Sequence, residues 1–274
     1  MTAARATART LTASILALAV LHVIFGETLT RWLPLWSGSP GGRPYWSRGI
    51  GLALAAAAAW LLVKPRARGP ELLLAALLAL PVLALHLPRA LAGGMVGNAW
   101  LGVFKWSTLA VAPLLLSSRE RARDDPLPDQ VVSAGARAAP WLFAVFMMIS
   151  AILHVRHDEF VAQLMQPWIP WRMFWTYFAA VALAAGAVGL VLPRTRRLAA
   201  LLTSLMIFMW FWLVHLPRML VDPLGPVGWS EMAESLAFSA MALLLALSVG
   251  PRSGPIVDTA GSIAGREPVA PRSS

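Results

Sequence analysis

The 274-residue chain contains no cysteine. That excludes disulfides, CxxC redox chemistry, thiolate metal sites and thiol nucleophiles together, so any redox role would need a bound cofactor. Charge is scarce as well. Charged residues make up 13% of the chain, roughly half the usual share of a soluble domain, against 58% hydrophobic residues. Such a chain cannot cover itself with polar groups, and its expected solvent is lipid. No phosphate-binding glycine loop, hydrolase elbow or metalloprotease motif is present, and Gly93-Gly94 precedes no strand–helix unit.

What the chain does have is basic charge: 23 Lys and Arg against 13 Asp and Glu, a formal charge of +10. The basic residues stand in short runs between apolar segments. That is the pattern of topology signals and not of a nucleic-acid surface, and no nucleic-acid partner is expected. Eight apolar stretches approach the ~20 residues needed to cross a bilayer as a helix. They are Leu11–Leu33, Trp46–Val63, Glu71–Ala92, Trp100–Leu116, Ala138–Val155, Trp171–Leu192, Leu198–Leu220 and Glu231–Val249. They lack the alternation of a membrane barrel, so helices are the expected solution. Arg5 and Arg9 precede the first stretch as they would in a signal peptide, but no small-x-small cleavage site follows, and a retained span is expected.

With the N-terminus inside, fifteen Lys and Arg fall on the inner side, seven on the outer, and Lys105 lies within a span. The bias predicts a plasma-membrane (inner-membrane) protein with both termini cytoplasmic. Trp32, Trp36, Trp46, Trp100, Trp168, Trp171 and Trp229 mark span ends, as interfacial anchors do. The tail, residues 250–274, is polar and rich in Pro and Gly, a composition that predicts disorder.

The halves repeat. Leu21-His22-Val23 returns as Leu153-His154-Val155 and Glu27 as Glu159, at an offset of 132. His86-Leu87-Pro88-Arg89 returns as His215-Leu216-Pro217-Arg218, Trp46 as Trp175 and Trp100 as Trp229, at 129. Four of only five histidines are matched in this way. The expected fold is therefore all-α: a polytopic membrane bundle of eight transmembrane helices in two parallel four-helix repeats, residues 11–117 and 138–249, joined by a cytoplasmic linker, 118–137. An even number of spans per repeat implies a pseudo-twofold axis along the membrane normal.

Each repeat contributes His, Glu, His and Arg: His22, Glu27, His86 and Arg89, then His154, Glu159, His215 and Arg218. The topology places the four histidines in the outer half of the membrane, where ionisable groups are costly and usually face a cavity or a partner. Arg is expected to pair with Glu, with the imidazoles bridging or facing water. Several uses of the histidines stay open: hydrogen bonds tying helices together, contact with a ligand or cofactor such as a quinone, or bis-histidine haem ligation between the first and third spans of a repeat. A metal at His154, His157 and Glu159 has the ligand types but no diagnostic spacing. Arg89 and Arg218 read either as snorkelling residues or as anion receptors. Pro88 and Pro217 either kink their helices or end them. Gly186-x-x-Gly189 and the run Ala55–Ala59 suit close helix packing. Lys105 and Glu234, also 129 apart, either pair across the pseudo-axis or snorkel separately.

The stretch from Pro167-Trp168-Ile169-Pro170 to Leu190-Val191-Leu192-Pro193-Arg194-Thr195-Arg196-Arg197-Leu198-Ala199 resembles the DoxX-like family of integral membrane proteins. The shared features are an early span with His, a Pro-Trp-x-Pro loop, a small-residue span ending in Gly-Leu and a Pro-Arg-x-Arg-Arg turn. The resemblance implies a four-helix unit, duplicated here over about Leu11–Val249. Some members are linked to quinone-coupled sulfur oxidation or to oxidative-stress complexes, which implies a quinone or a redox partner protein beside the lipid bilayer. The family often carries a glutamate in the second helix where this chain has Leu183, so the resemblance transfers no catalytic residue. Two other functions stay open beside a redox role: a small-solute carrier, and a structural or assembly protein without chemistry.

Overall fold

The computed structural model of the chain describes residues 3–26, 43–64, 68–93, 98–119 and 129–248. Helix is the only regular secondary structure among the described residues. The helices are α1 (Ala3–Phe25), α2 (Arg43–Val63), α3 (Arg68–Pro81), α4 (Leu87–Ala92), α5 (Asn98–Arg119), α6 (Asp129–Arg156), α7 (Asp158–Leu164), α8 (Arg172–Val191), α9 (Arg196–Trp210), α10 (Leu216–Val221) and α11 (Pro226–Ser248). Single π-helical turns, Val82–His86 and Phe211–His215, join α3 to α4 and α9 to α10 into continuous runs. Seven helices are long and apolar enough to cross a membrane; the apolar part of α2, Ser47–Val63, is shorter.

Three boundaries differ from those expected from the sequence. The first helix starts at Ala3 and not at Leu11, because its polar residues need no outside partner. Thr7, Thr12 and Ser14 donate to the carbonyls of Ala3, Ala8 and Thr10 at 2.9, 3.0 and 2.8 Å. Helix α6 starts at Asp129, so residues 129–137, expected in the linker, are helical. Val132 is buried there, and Gly135 lets α6 approach Leu114 of α5. Helix α11 starts at Pro226, whose fixed φ suits a first helical turn. Glu27, Trp32, Trp36, the end of the expected first span, residues 120–128 of the linker and the tail 250–274 lie outside the described residues.

Packing follows chain order and then closes. The α1 helix packs on α2, α2 on α3, α3 on α5, α5 on α6, α6 on α8, α8 on α9, α9 on α11, and α11 returns to α1. Helices α5 and α11 also touch each other. The first helix of each half therefore packs against the last helix of the other. Helix α11 is the most enclosed element, with 78% of its apolar window buried. The core is mostly small and aliphatic, with Trp106 and Phe143 as its bulkiest fully buried members. Gly186 and Gly189 bring α8 against Thr203 and Ala199 of α9, as their spacing suggested.

Candidate functional site

Both π turns come from the same local sequence. A proline has no N–H and its ring crowds the carbonyl four residues back, so the helices running into Pro88 and Pro217 lose a regular bond there. The chain widens by one residue instead: the Leu87 N–H bonds to Val82 O and the Leu216 N–H to Phe211 O, five residues back. Each wide turn ends on the repeated histidine. Such turns are uncommon and concentrate at functional positions. The prolines thus neither end their helices nor free them simply; they convert one turn.

Around that shared backbone the two halves differ. In the second half, Arg218 Nη1 donates to Glu231 Oε2 at 2.8 Å, and His215 Nδ1 lies 3.6 Å from the same oxygen. Glu231 is buried, and Arg218 keeps 26% of its side-chain surface exposed. Among the described residues His215 Nδ1 is shielded from solvent and makes no hydrogen bond. In the first half, the position 129 residues before Glu231 is Gly102, and a Cβ there would lie 2.7 Å from His86 Nδ1. The His86 ring occupies the space that a side chain on α5 would need. His86 is buried, and Arg89 is exposed on α4.

The other histidine pair is alike in both halves. His22 Nδ1–H donates to the Leu18 carbonyl at 2.8 Å, and His154 Nδ1–H to the Ser150 carbonyl at 2.7 Å. A carbonyl only accepts, so Nδ1 carries the proton and Nε2 bears the lone pair of the neutral ring. These bonds stay within one helix, so Nδ1 does not tie helices together. His22 sits where Gly51 lets α2 close on α1, and Glu234 lies within coulombic reach of it. His154 faces Trp210 of α9, rings stacked at 6.1 Å between centroids.

A second polar layer joins the halves. Lys105 Nζ on α5 forms an ion pair with Glu234 Oε2 on α11, both largely buried. Of the two sequence alternatives for these residues, pairing is the one observed. Ser204 on α9 and Ser239 on α11 exchange hydrogen bonds to each other's carbonyls at 2.9 and 3.0 Å.

The expected pairing of Arg218 with Glu159 is not found. Glu159 is exposed on α7, its N–H bonded to Asp158 Oδ1, because α6 ends at Arg156 and His157 turns the chain away. Among the described residues no group of three His, Asp or Glu could hold a metal ion. The carboxylate that serves Arg218 comes from α11. Matching the two halves missed Glu231 as a site residue because it has no counterpart in the first half. Its signal was the pair Glu231 and Glu234, three apart and so neighbours on the opening turns of an apolar helix. At the edge of the bundle, Tyr177 of α8 donates to Asp158 Oδ2, and this bond together with the Glu159 N–H holds the Asp158 carboxyl below its ordinary range.

Residues 143–249, from within α6 to just past α11, are similar to a family described as Domain of unknown function (DUF8561). No curated protein and no solved structure matches the chain.

Proposed function

We propose that the chain is a DoxX-like plasma-membrane protein of two four-helix units, and that its second unit binds a quinone or a similar apolar ligand with hydrogen-bonding oxygens. The architecture is supported by the cyclic packing order, by π turns at positions 129 apart, and by the Lys105–Glu234 pair between equivalent positions of α5 and α11. The family match, which covers only the second half, fits a unit that begins in α6. The bias of basic residues supports cytoplasmic termini.

One observation carries the ligand reading: His215 Nδ1, shielded and without a hydrogen bond, beside the Arg218–Glu231 pair. A buried polar atom costs about 1–3 kcal/mol when its partner is missing, and a ligand oxygen would supply that partner. The residues fit such a group. Arg218 and His215 present N–H donors, Glu231 can take up a proton, and Trp210, five residues before His215, offers flat aromatic surface stacked on His154. A quinone, when bound, supplies two-electron redox chemistry. The chain's own part is to orient its oxygens, exclude water and hold a proton on the His215–Glu231 pair.

The test is gentle purification followed by mass spectrometry of extracted small molecules and titration with a soluble quinone. A quinone should copurify and be lost in His215→Ala while α-helix content is unchanged. A wild-type protein that neither carries a quinone nor binds one on titration ends the proposal. A small-solute carrier is the second reading, favoured by the buried Lys105–Glu234 pair between the halves. Liposome flux that is indifferent to Lys105→Met with Glu234→Gln removes it.

A further inference from the structure

The opposite end of the bundle holds a cleft of about 640 Å³ between α5, α6, α9 and α11. Its polar lining is Ser118, Arg137, Arg196 and Ser248, with Trp141 and Leu245 among its apolar members. Among the described residues no carboxylate lines it. Arg196 is fixed in place: its Nε donates to Leu190 O at 2.8 Å and its Nη2 to Val191 O at 3.2 Å, closing the end of α8. Those bonds leave further guanidinium protons unused, and among the described residues no acid pairs with the charge. Arg137 forms no ion pair among the described residues, and Trp141 is 54% exposed beside it.

We infer that this cleft binds a phosphate group, with an anionic phospholipid headgroup as its source. Two guanidiniums with no acidic neighbour among the described residues recognise a phosphate by charge-assisted hydrogen bonds. A zwitterionic headgroup brings its own cation into a site that already holds two. Basic clefts between membrane helices are suited to anionic lipid. The exposed indole of Trp141 gives acyl chains an apolar exit. This inference is independent of the quinone reading, since the histidine cluster lies at the other end of the helices.

The test uses the full chain, delipidated in neutral detergent and studied by native mass spectrometry with phosphatidylglycerol or phosphatidylcholine. Phosphatidylglycerol should be retained over phosphatidylcholine, and Arg137→Gln should weaken that retention about fivefold, as expected for one basic residue near a lipid surface. Displacement of the lipid by millimolar inorganic phosphate would support the same chemistry with free phosphate as a source; resistance to displacement would support the lipid alone. Because Arg196→Gln would also uncap α8, Arg137→Gln is the informative variant. Should it fail to fold, raised salt on the wild type must release phosphatidylglycerol selectively. Equal retention of the two lipids, retention unchanged in Arg137→Gln, or retention indifferent to salt overturns the inference.

Discussion

In the first half of the chain, His86 closes its π turn against Gly102; in the second, His215 closes the same turn beside Glu231. The difference extends along the neighbouring helix faces. Where α9 and α11 exchange hydrogen bonds through Ser204 and Ser239, the positions 129 residues earlier are Ala75 and Ala110, both buried. Where Trp210 stacks on His154, the first half has Pro81. The repeated His-Leu-Pro-Arg motif therefore fixes a backbone, and the fourth helix decides what chemistry surrounds it. In the second half a carboxylate stands beside the histidine of the turn, where the first half has a glycine.

The strongest way to break that comparison is at the contact between the halves. Lys105→Ala leaves Glu234 buried without its partner, and loss of one member of a buried pair costs about 3–5 kcal/mol. Thermal unfolding in detergent should register this as the largest single loss, and the reversal Lys105→Glu with Glu234→Lys should restore most of it. A double reversal no better than the single variants would mean that the two positions are not equivalent across an axis. Next in size is Glu231→Ala, expected to cost about 3 kcal/mol, at the low end for a buried pair because Arg218 is partly exposed. A double-mutant cycle with Arg218→Ala measures the coupling; a coupling near zero would reduce the second-half cluster to neighbours.

The all-helical fold and its apolar helices were legible because they rest on local chemistry, apolar length and scarce charge, although among the described residues seven helices and not eight reach the length of a span. The π turns were half legible. Pro88 and Pro217 announced an altered helix, but whether a proline kinks, ends or widens it depends on how the carbonyls behind it are satisfied. The Lys105–Glu234 pair was visible as an alternative because repeat arithmetic joined two opposite charges. Glu231 was not, since its counterpart is a glycine and matching halves conceals what only one half has. Glu159 misled for the opposite reason. It matched Glu27 in sequence, yet the break after Arg156 carries it to the surface.

Gly102 tests whether the first half could regain what the second half keeps. Gly102→Ala puts a methyl group into the His86 ring, and overpacking of this kind costs about 1–3 kcal/mol. Gly102→Glu with His86→Ala should be more stable than Gly102→Glu alone, because removing the ring makes room. A pair no better than the single variant would show that something other than His86 keeps that position small. Smaller again is Ser204→Ala, expected to cost about 0.6 kcal/mol, typical of hydrogen bonds between membrane helices. It should shift unfolding only slightly.

The smallest effect lies at the edge of the bundle, where the halves again diverge. Gly26 lies beside Arg48 in the first half, while Asp158 accepts from Tyr177 at the corresponding place in the second. Asp158 has a folded-state pKa below its ordinary 3.8, chiefly because of the tyrosine hydroxyl. A carboxyl depressed in this way favours the folded state wherever it is ionised. Its contribution is complete above the ordinary value and fades as pH falls through the folded one. Tyr177→Phe removes the main cause, so the variant should melt slightly below the wild type at about pH 5, and the gap should close on acidification below about pH 4. A gap that is constant with pH would assign the loss to packing of the ring, and a gap that widens in acid would reverse the sign and remove Asp158 as its source.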